Sequence, residues 1–205
     1  MKNPDVRYLS RDGEIIVLER HTFDDNICLA DMDLVGADFS NADLFNVNLA
    51  NSKLSEANLN QALLRYANLT GATLNRADLS YASLRHASVR GATFLDANLT
   101  GTNLSCADMR GSDLTGANLT NANLDSTNLD GATMVGVNLE NVTCEGALFG
   151  GVDFRGANFK YASFKLVTFF KANLRNTNIE EANLEIVIMP DGLVQTRLLN
   201  YYNLP

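Results

Sequence analysis

The chain has 205 residues and carries 16 Lys and Arg against 24 Asp and Glu, a formal charge of −8. That length gives room for one domain with a real core, and the charge lends no support to a sequence-independent grip on nucleic-acid phosphates, so no direct nucleic acid binding is expected. Three cysteines, Cys28, Cys106 and Cys144, cannot all pair and show no CxxC or Cys/His spacing, which argues against a disulfide framework or a structural zinc and for a reducing compartment.

At the N-terminus, Met1-Lys2-Asn3-Pro4-Asp5 lacks the apolar stretch of a signal peptide, and Ile15-Ile16-Val17-Leu18 falls far short of a membrane span. A soluble, cytoplasmic protein with no membrane association is the expectation. Val6 to Leu9 and Glu14 to Leu18 read as extended runs separated by Ser10-Arg11-Asp12-Gly13. Asp-Gly suits a tight type I′ turn, so residues 1–26 are expected to form a capping segment built as a β-hairpin.

From residue 27 a large apolar residue recurs every five positions without insertion or deletion, from Leu29, Leu34 and Phe39 through Leu114 to Ile179 and Leu184. Two positions before nearly every centre stands a small residue, as at Ala37, Ala57 and Ala72, and between them in most units stands Asn or Asp, as at Asp38, Asn58 and Asp78. A helix would turn successive centres by about 140° and scatter them around its cylinder. A flat strand, with its period of two, would send every second centre to the wrong face. What survives is a short extended piece followed by a corner in each unit. Eleven of the 14 glycines, Gly36, Gly71 and Gly116 among them, occupy the second position after a centre, where a tight turn benefits from tolerance of positive φ. Pro4, Pro190 and Pro205 all lie outside the stretch, as they must if its N–H groups join coil to coil. The Asn and Asp side chains are short enough to bond locally beside the turns.

The tandem Ala-(Asn/Asp)-Leu-x-x pattern over residues 27–189 resembles the pentapeptide repeat family. The resemblance implies an all-β fold: a right-handed quadrilateral β-helix with four units per coil and about eight coils, roughly 38 Å long at about 4.8 Å per coil. Stability then comes mostly from stacking between neighbouring coils.

Consecutive centres Phe149, Phe154, Phe159, Phe164 and Phe169 give the C-terminal coils an aromatic core. Residues 20 apart stack, which places Leu148, Leu166, Phe170 and Ile186 beside one corner of the last coils, where outward positions ought to be polar. That cluster is a candidate homodimer or partner surface, or the seat of the C-terminal segment. In residues 190–205, Leu193, Val194, Leu198, Leu199 and Tyr202 stand close to helical spacing and predict a short capping helix. Charge is banded along the chain: acidic around Asp31 to Asp43, mostly basic from Lys53 to Arg110, acidic from Asp113 to Glu145, basic from Arg155 to Arg175, then acidic again at Glu180 to Glu185.

Titratable groups do not converge in this pattern. His21 and His86 lie far apart in the repeat order with no nucleophile or acid partner, and there is no GxxxxGK[ST] or GxGxxG. No catalytic residue, cofactor or metal site is expected. The expectation is a non-enzymatic structural or protein-interaction scaffold with an unknown protein partner, either monomeric or joined as a homodimer at its C-terminal end. The alternative, which the resemblance brings in, is modulation of DNA gyrase by mimicry of duplex DNA, a role some members fill as C-terminally joined dimers. The acidic total favours it, and the basic bands and unbroken register count against it.

Overall fold

A computed structural model describes residues 6–9, 15–18 and 27–195. Strand β1 (Val6–Leu9) pairs antiparallel with β2 (Ile15–Leu18), Val6 opposite Leu18 and Leu9 opposite Ile15. The turn residues Ser10-Arg11-Asp12-Gly13 lie outside the described residues.

From Cys28 onward every inter-coil bridge joins residue i to residue i+20 in parallel. The bridging residues are the polar ones between the small residue and the centre, and they form four ladders. Ladder 1 starts at Cys28 and Asn48, ladder 2 at Asp33 and Lys53, ladder 3 at Asp38 and Asn58, and ladder 4 at Asp43 and Leu63. Ladder 4 widens near its end into a parallel sheet of β3 (Thr143–Glu145), β4 (Ser163–Lys165) and β5 (Asn183–Glu185). Small residues and centres point inward: Ala57, Leu59, Ala62 and Leu64 are all 0% exposed. Serine or threonine at the small position brings a hydroxyl inside and gives it a carbonyl. Ser52 Oγ donates to Leu49 O at 2.7 Å, and Thr102 Oγ1 donates to Leu79 O at 2.8 Å.

The unit 112–116 shows where the backbone donors go. Ser112 N–H closes the turn on Met109 O, Asp113 N–H reaches back to Ala92 O, and Leu114 and Gly116 N–H reach forward to Thr133 O and Val135 O. The fifth donor, Thr115 N–H, has no carbonyl in reach of the ladder and is taken by Asp113 Oδ1 at 3.0 Å. The same bond recurs from Ser40 to Asp38, Thr100 to Asn98 and Glu180 to Asn178. Where the bridging residue is Asn or Asp, its side chain can therefore complete the hydrogen bonding of the unit, beyond keeping the outside polar.

Every corner between Asp31 and Ile186 has positive φ at the second residue after the centre, between 53° and 70°. With an i→i+3 bond and positive φ only at its third residue, each corner has the signature of a type II turn. Glycine suits this without strain, but most corners carry something else, such as Glu56, Tyr66, His86 or Leu166. Each such residue adopts the left-handed region at roughly 1–2 kcal/mol, a cost the stacked coils carry.

At the C-terminal end the expected helix does not begin where it is predicted. Val194–Gln195 (β7) is a strand antiparallel to β6 (Val187–Ile188), and residues 196–205 lie outside the described residues. Ile188 is the last rung of ladder 1, bridged to Thr168, so its far side is an open edge. Met189 N–H donates to Leu193 O, Gly192 N–H to Met189 O and Leu193 N–H to Asp191 Oδ1. This turn brings β7 back along the edge, and edge pairing overrides a weak helical spacing.

The narrow interior should reject a larger side chain: Ala72→Leu is expected to cost about 1–3 kcal/mol, read from chemical denaturation. At the corners, Gly131→Ala adds a Cβ with nothing within 4 Å, whereas at Gly116 a Cβ would meet Asp96 Oδ1. Gly116→Ala is therefore expected to lower the unfolding free energy by more than Gly131→Ala.

Candidate interaction surfaces

Because residues 20 apart stack, the outward residues fall into four ladders and, between successive ladders, columns of corner residues. The C-terminal apolar residues do not share one corner. Leu166 and Ile186 stand on the corner before ladder 1, Leu148 is a rung of ladder 1, and Phe170 stands on the corner after it. Between Leu166 and Phe170 runs the inward segment Val167 to Phe169, so the two side chains flank a face. Exposure is 40% for Leu148, 50% for Leu166, 46% for Phe170 and 43% for Ile186. The terminal turn lies against this group: a Cβ built on Gly192 would stand 3.7 Å from the Phe170 ring, and Lys171 N–H donates to Pro190 O.

Beneath them the five phenylalanines are buried and wind once around the interior. Neighbours meet edge-on or tilted at 5.0–5.3 Å, and Phe169 stacks on Phe149 one coil below at 5.4 Å and 12°. These geometries favour ring quadrupoles and stiffen the end of the rod.

A second exposed group was not singled out from sequence. On the corner between ladders 4 and 1, Tyr66 stacks on His86 at 4.9 Å and 12°, Phe45 meets Tyr66 edge-on at 5.6 Å, and the Arg65 guanidinium sits 5.7 Å from the Phe45 ring centre. Leu63 adjoins them, 39% exposed. The available signal was the spacing of 20 between Tyr66 and His86, visible once the chain is written in rows of 20.

The charge bands resolve into short ion pairs between stacked or nearby residues. Lys53 meets Asp33, Arg76 meets Glu56 and Lys165 meets Glu145 across one coil, while Arg110 and Arg155 fold back onto Asp108 and Asp153. These exposed pairs contribute little to stability. Hydrogen bonds from Arg110 and Arg155 hold the Asp108 and Asp153 carboxyls below the usual aspartate value. Their small contribution is therefore present above the unfolded aspartate pKa and is lost as pH falls through the lowered folded value. Among the described residues no group of three or more His, Cys, Asp or Glu is placed to hold a metal ion, and no helix is long and apolar enough to cross a membrane.

Cys144 is a centre and fully buried, and burial pushes its thiol pKa well up. Cys28 and Cys106 are exposed. A maleimide reagent should modify two thiols in the native protein and three after denaturation, counted by mass; rapid modification of all three in the native state would contradict the packing.

The model of the pentapeptide repeat family matches residues 29–61, 42–80, 77–116, 112–156 and 147–185, in eight copies. Among solved structures the chain is similar to HetL, a pentapeptide repeat protein involved in heterocyst differentiation regulation from the cyanobacterium Nostoc sp. strain PCC 7120. The two are 26% identical over 82% of this chain and 92% of HetL, with a TM-score of 0.51. Weaker likenesses are to QnrB1, a plasmid-mediated fluoroquinolone resistance protein (20% identity, 78% and 86% covered, TM-score 0.47), and to a thylakoid-lumen pentapeptide repeat protein of Arabidopsis thaliana (40% identity, 44% and 63% covered, TM-score 0.23). Among curated proteins compared by sequence, none matches. The unbroken five-residue register, its 20-residue ladders and the family match over most of its length place this chain in the pentapeptide repeat family.

Proposed function

We propose that the chain is a non-enzymatic interaction scaffold, a stiff rod whose corners present side chains to a macromolecular partner. The four ladders support the right-handed, four-sided form that the family resemblance implies. The observation that carries the functional reading is how the polar groups are used. The backbone donors and the Asn/Asp side chains are spent inside or between units, so what remains available is an outward pattern with two exposed apolar groups. The likeness to HetL, a protein of regulation, agrees with a binding role. Two exposed thiols suit the cytoplasm as the compartment. Phe170 and its neighbours serve as the seat of the terminal turn, which Gly192 and Pro190 already contact.

Gyrase modulation by DNA mimicry calls for an acidic face along the whole axis. Ladder 3 carries acids only at Asp38 and Asp78 and is Asn from Asn98 to Asn178, while Arg76, Arg155, Lys160 and Arg175 interrupt the neighbouring corners. The scaffold reading is therefore preferred.

A photo-crosslinking amino acid at Tyr66 in the full chain, expressed in its own host, is expected to capture protein, whereas the same probe at Asn138 on ladder 3 captures none. In parallel, supercoiling by gyrase should be unchanged up to tens of micromolar protein. Inhibition or quinolone protection in that assay would overturn the preference.

A further inference from the structure

The corner between ladders 4 and 1 differs from the other three in setting two arginines and two carboxylates symmetrically about one centre. Its first outward position carries Phe45, Arg65 and Arg85, then Ser105, then Asp125, Glu145, Lys165 and Glu185, each 20 residues from the last. One position on stand Tyr66, His86, Cys106, Ser126 and Gly146. Arg65, Arg85, Tyr66, His86, Cys106 and Glu145 are exposed, and Asp125 is half-buried. Read backwards about Ser105, Arg85 falls on Asp125 and Arg65 on Glu145.

We propose that this corner is a contact between two copies of the chain, packed side by side and antiparallel, with the two-fold axis at Ser105 and Cys106. In such an isologous contact each column meets itself with its direction reversed. Arg85 of one copy then faces Asp125 of the other, Arg65 faces Glu145, and Phe45 faces Lys165, each pair occurring twice. Tyr66 falls opposite Gly146, where a Cβ built on the glycine would meet only Ser126 Oγ at 3.7 Å, so there is room for the ring.

The register is specified by the same charges. Moving the axis half a coil toward the C-terminus sets Arg65 against Lys165, and moving it half a coil toward the N-terminus leaves Arg65 opposite Asp125 as the one charge pair among the described residues of this column. No other corner offers two opposite-charge pairs about one centre: the corner after ladder 1 has Arg90 and Arg110 against Asp130 and then Gly150.

The groups are poised for this use. Asp125 Oδ1 is held by Glu145 N–H at 2.8 Å, which leaves Oδ2 for a guanidinium. Glu145 lies 3.1 Å from Lys165 of its own chain and is 54% exposed at the side chain, so it can accept a second cation. A single-stranded nucleic acid is a poorer occupant than a second copy, because Tyr66 and His86 already stack on each other and their ring faces are not open to bases. From Phe45 to Lys165 the contact runs six coils, about 29 Å at about 4.8 Å each. A strip along a corner sits at the small end of interface sizes, so the dimer should be weak, reversible and salt-sensitive. The proposal does not depend on an external partner and is separable from the scaffold reading.

Sedimentation velocity of the full chain over about 1–200 µM is expected to show a monomer–dimer equilibrium that weakens severalfold when salt is raised about tenfold. Arg65→Glu/Arg85→Glu and Asp125→Arg/Glu145→Arg should each remain monomeric, while their equimolar mixture, in which every pair is again opposite in charge, regains the dimer. That rescue shows that both variants fold. In a Cys28→Ser background a short bis-maleimide should link two copies through Cys106, and Cys106→Ser should abolish the product. A monomer at every concentration, or a dimer that both charge variants leave intact, overturns the proposal; the second result places the contact elsewhere, such as at the Phe170 end.

Discussion

The structure depends on one backbone state repeated without exception: the left-handed residue two places after each centre. It turns the chain, and because it recurs every five residues it brings the chain back over itself after 20. Everything outside that turn is short extended backbone whose donors and acceptors meet the coils before and after. Local strain at corners such as Tyr66, Asp96 and Leu166 is tolerated because each sits between two coils that fix it.

From that constraint the rest follows in order. A narrow coil leaves room for a small residue beside most centres, so the interior is built mainly from leucine and alanine, with Phe39 and Phe94 as single rings and five consecutive phenylalanines filling a whole turn near the end. The turn strands one N–H per unit, and in many units an Asn or Asp side chain at the bridging position takes it, which favours those residues there. What the fold leaves open is the pair of corner residues, and there the sequence varies: aromatic and basic near Tyr66, acidic near Glu145, apolar near Ile186.

Much of this was legible in the sequence, because a period of five is incompatible with either regular element alone. The inward pair, the glycine corners and the local bonding of Asn and Asp could all be read from pattern and sterics. The C-terminal segment misled because Leu193, Val194 and Leu198 mimic a helical stripe over too few residues, while the open edge at Ile188 offered Val194 a strand to pair with. The Leu166 and Phe170 placement went astray because two corners lie only a few residues apart across one buried segment. His86 looked featureless in one dimension; its partner Tyr66 stands 20 residues away, a distance at which only the coil makes neighbours.

The 20-residue coil is tested most directly by distance. Spin labels at Asp43 and Asn183, the first and last rungs of ladder 4, stand seven coils apart, about 34 Å at about 4.8 Å per coil. In a chain whose exposed cysteines are replaced by serine, electron–electron resonance should give one narrow distribution centred near that spacing, broadened only by the label linkers. A broad distribution, or a sharp one at a clearly different separation, would contradict a single rod in continuous register.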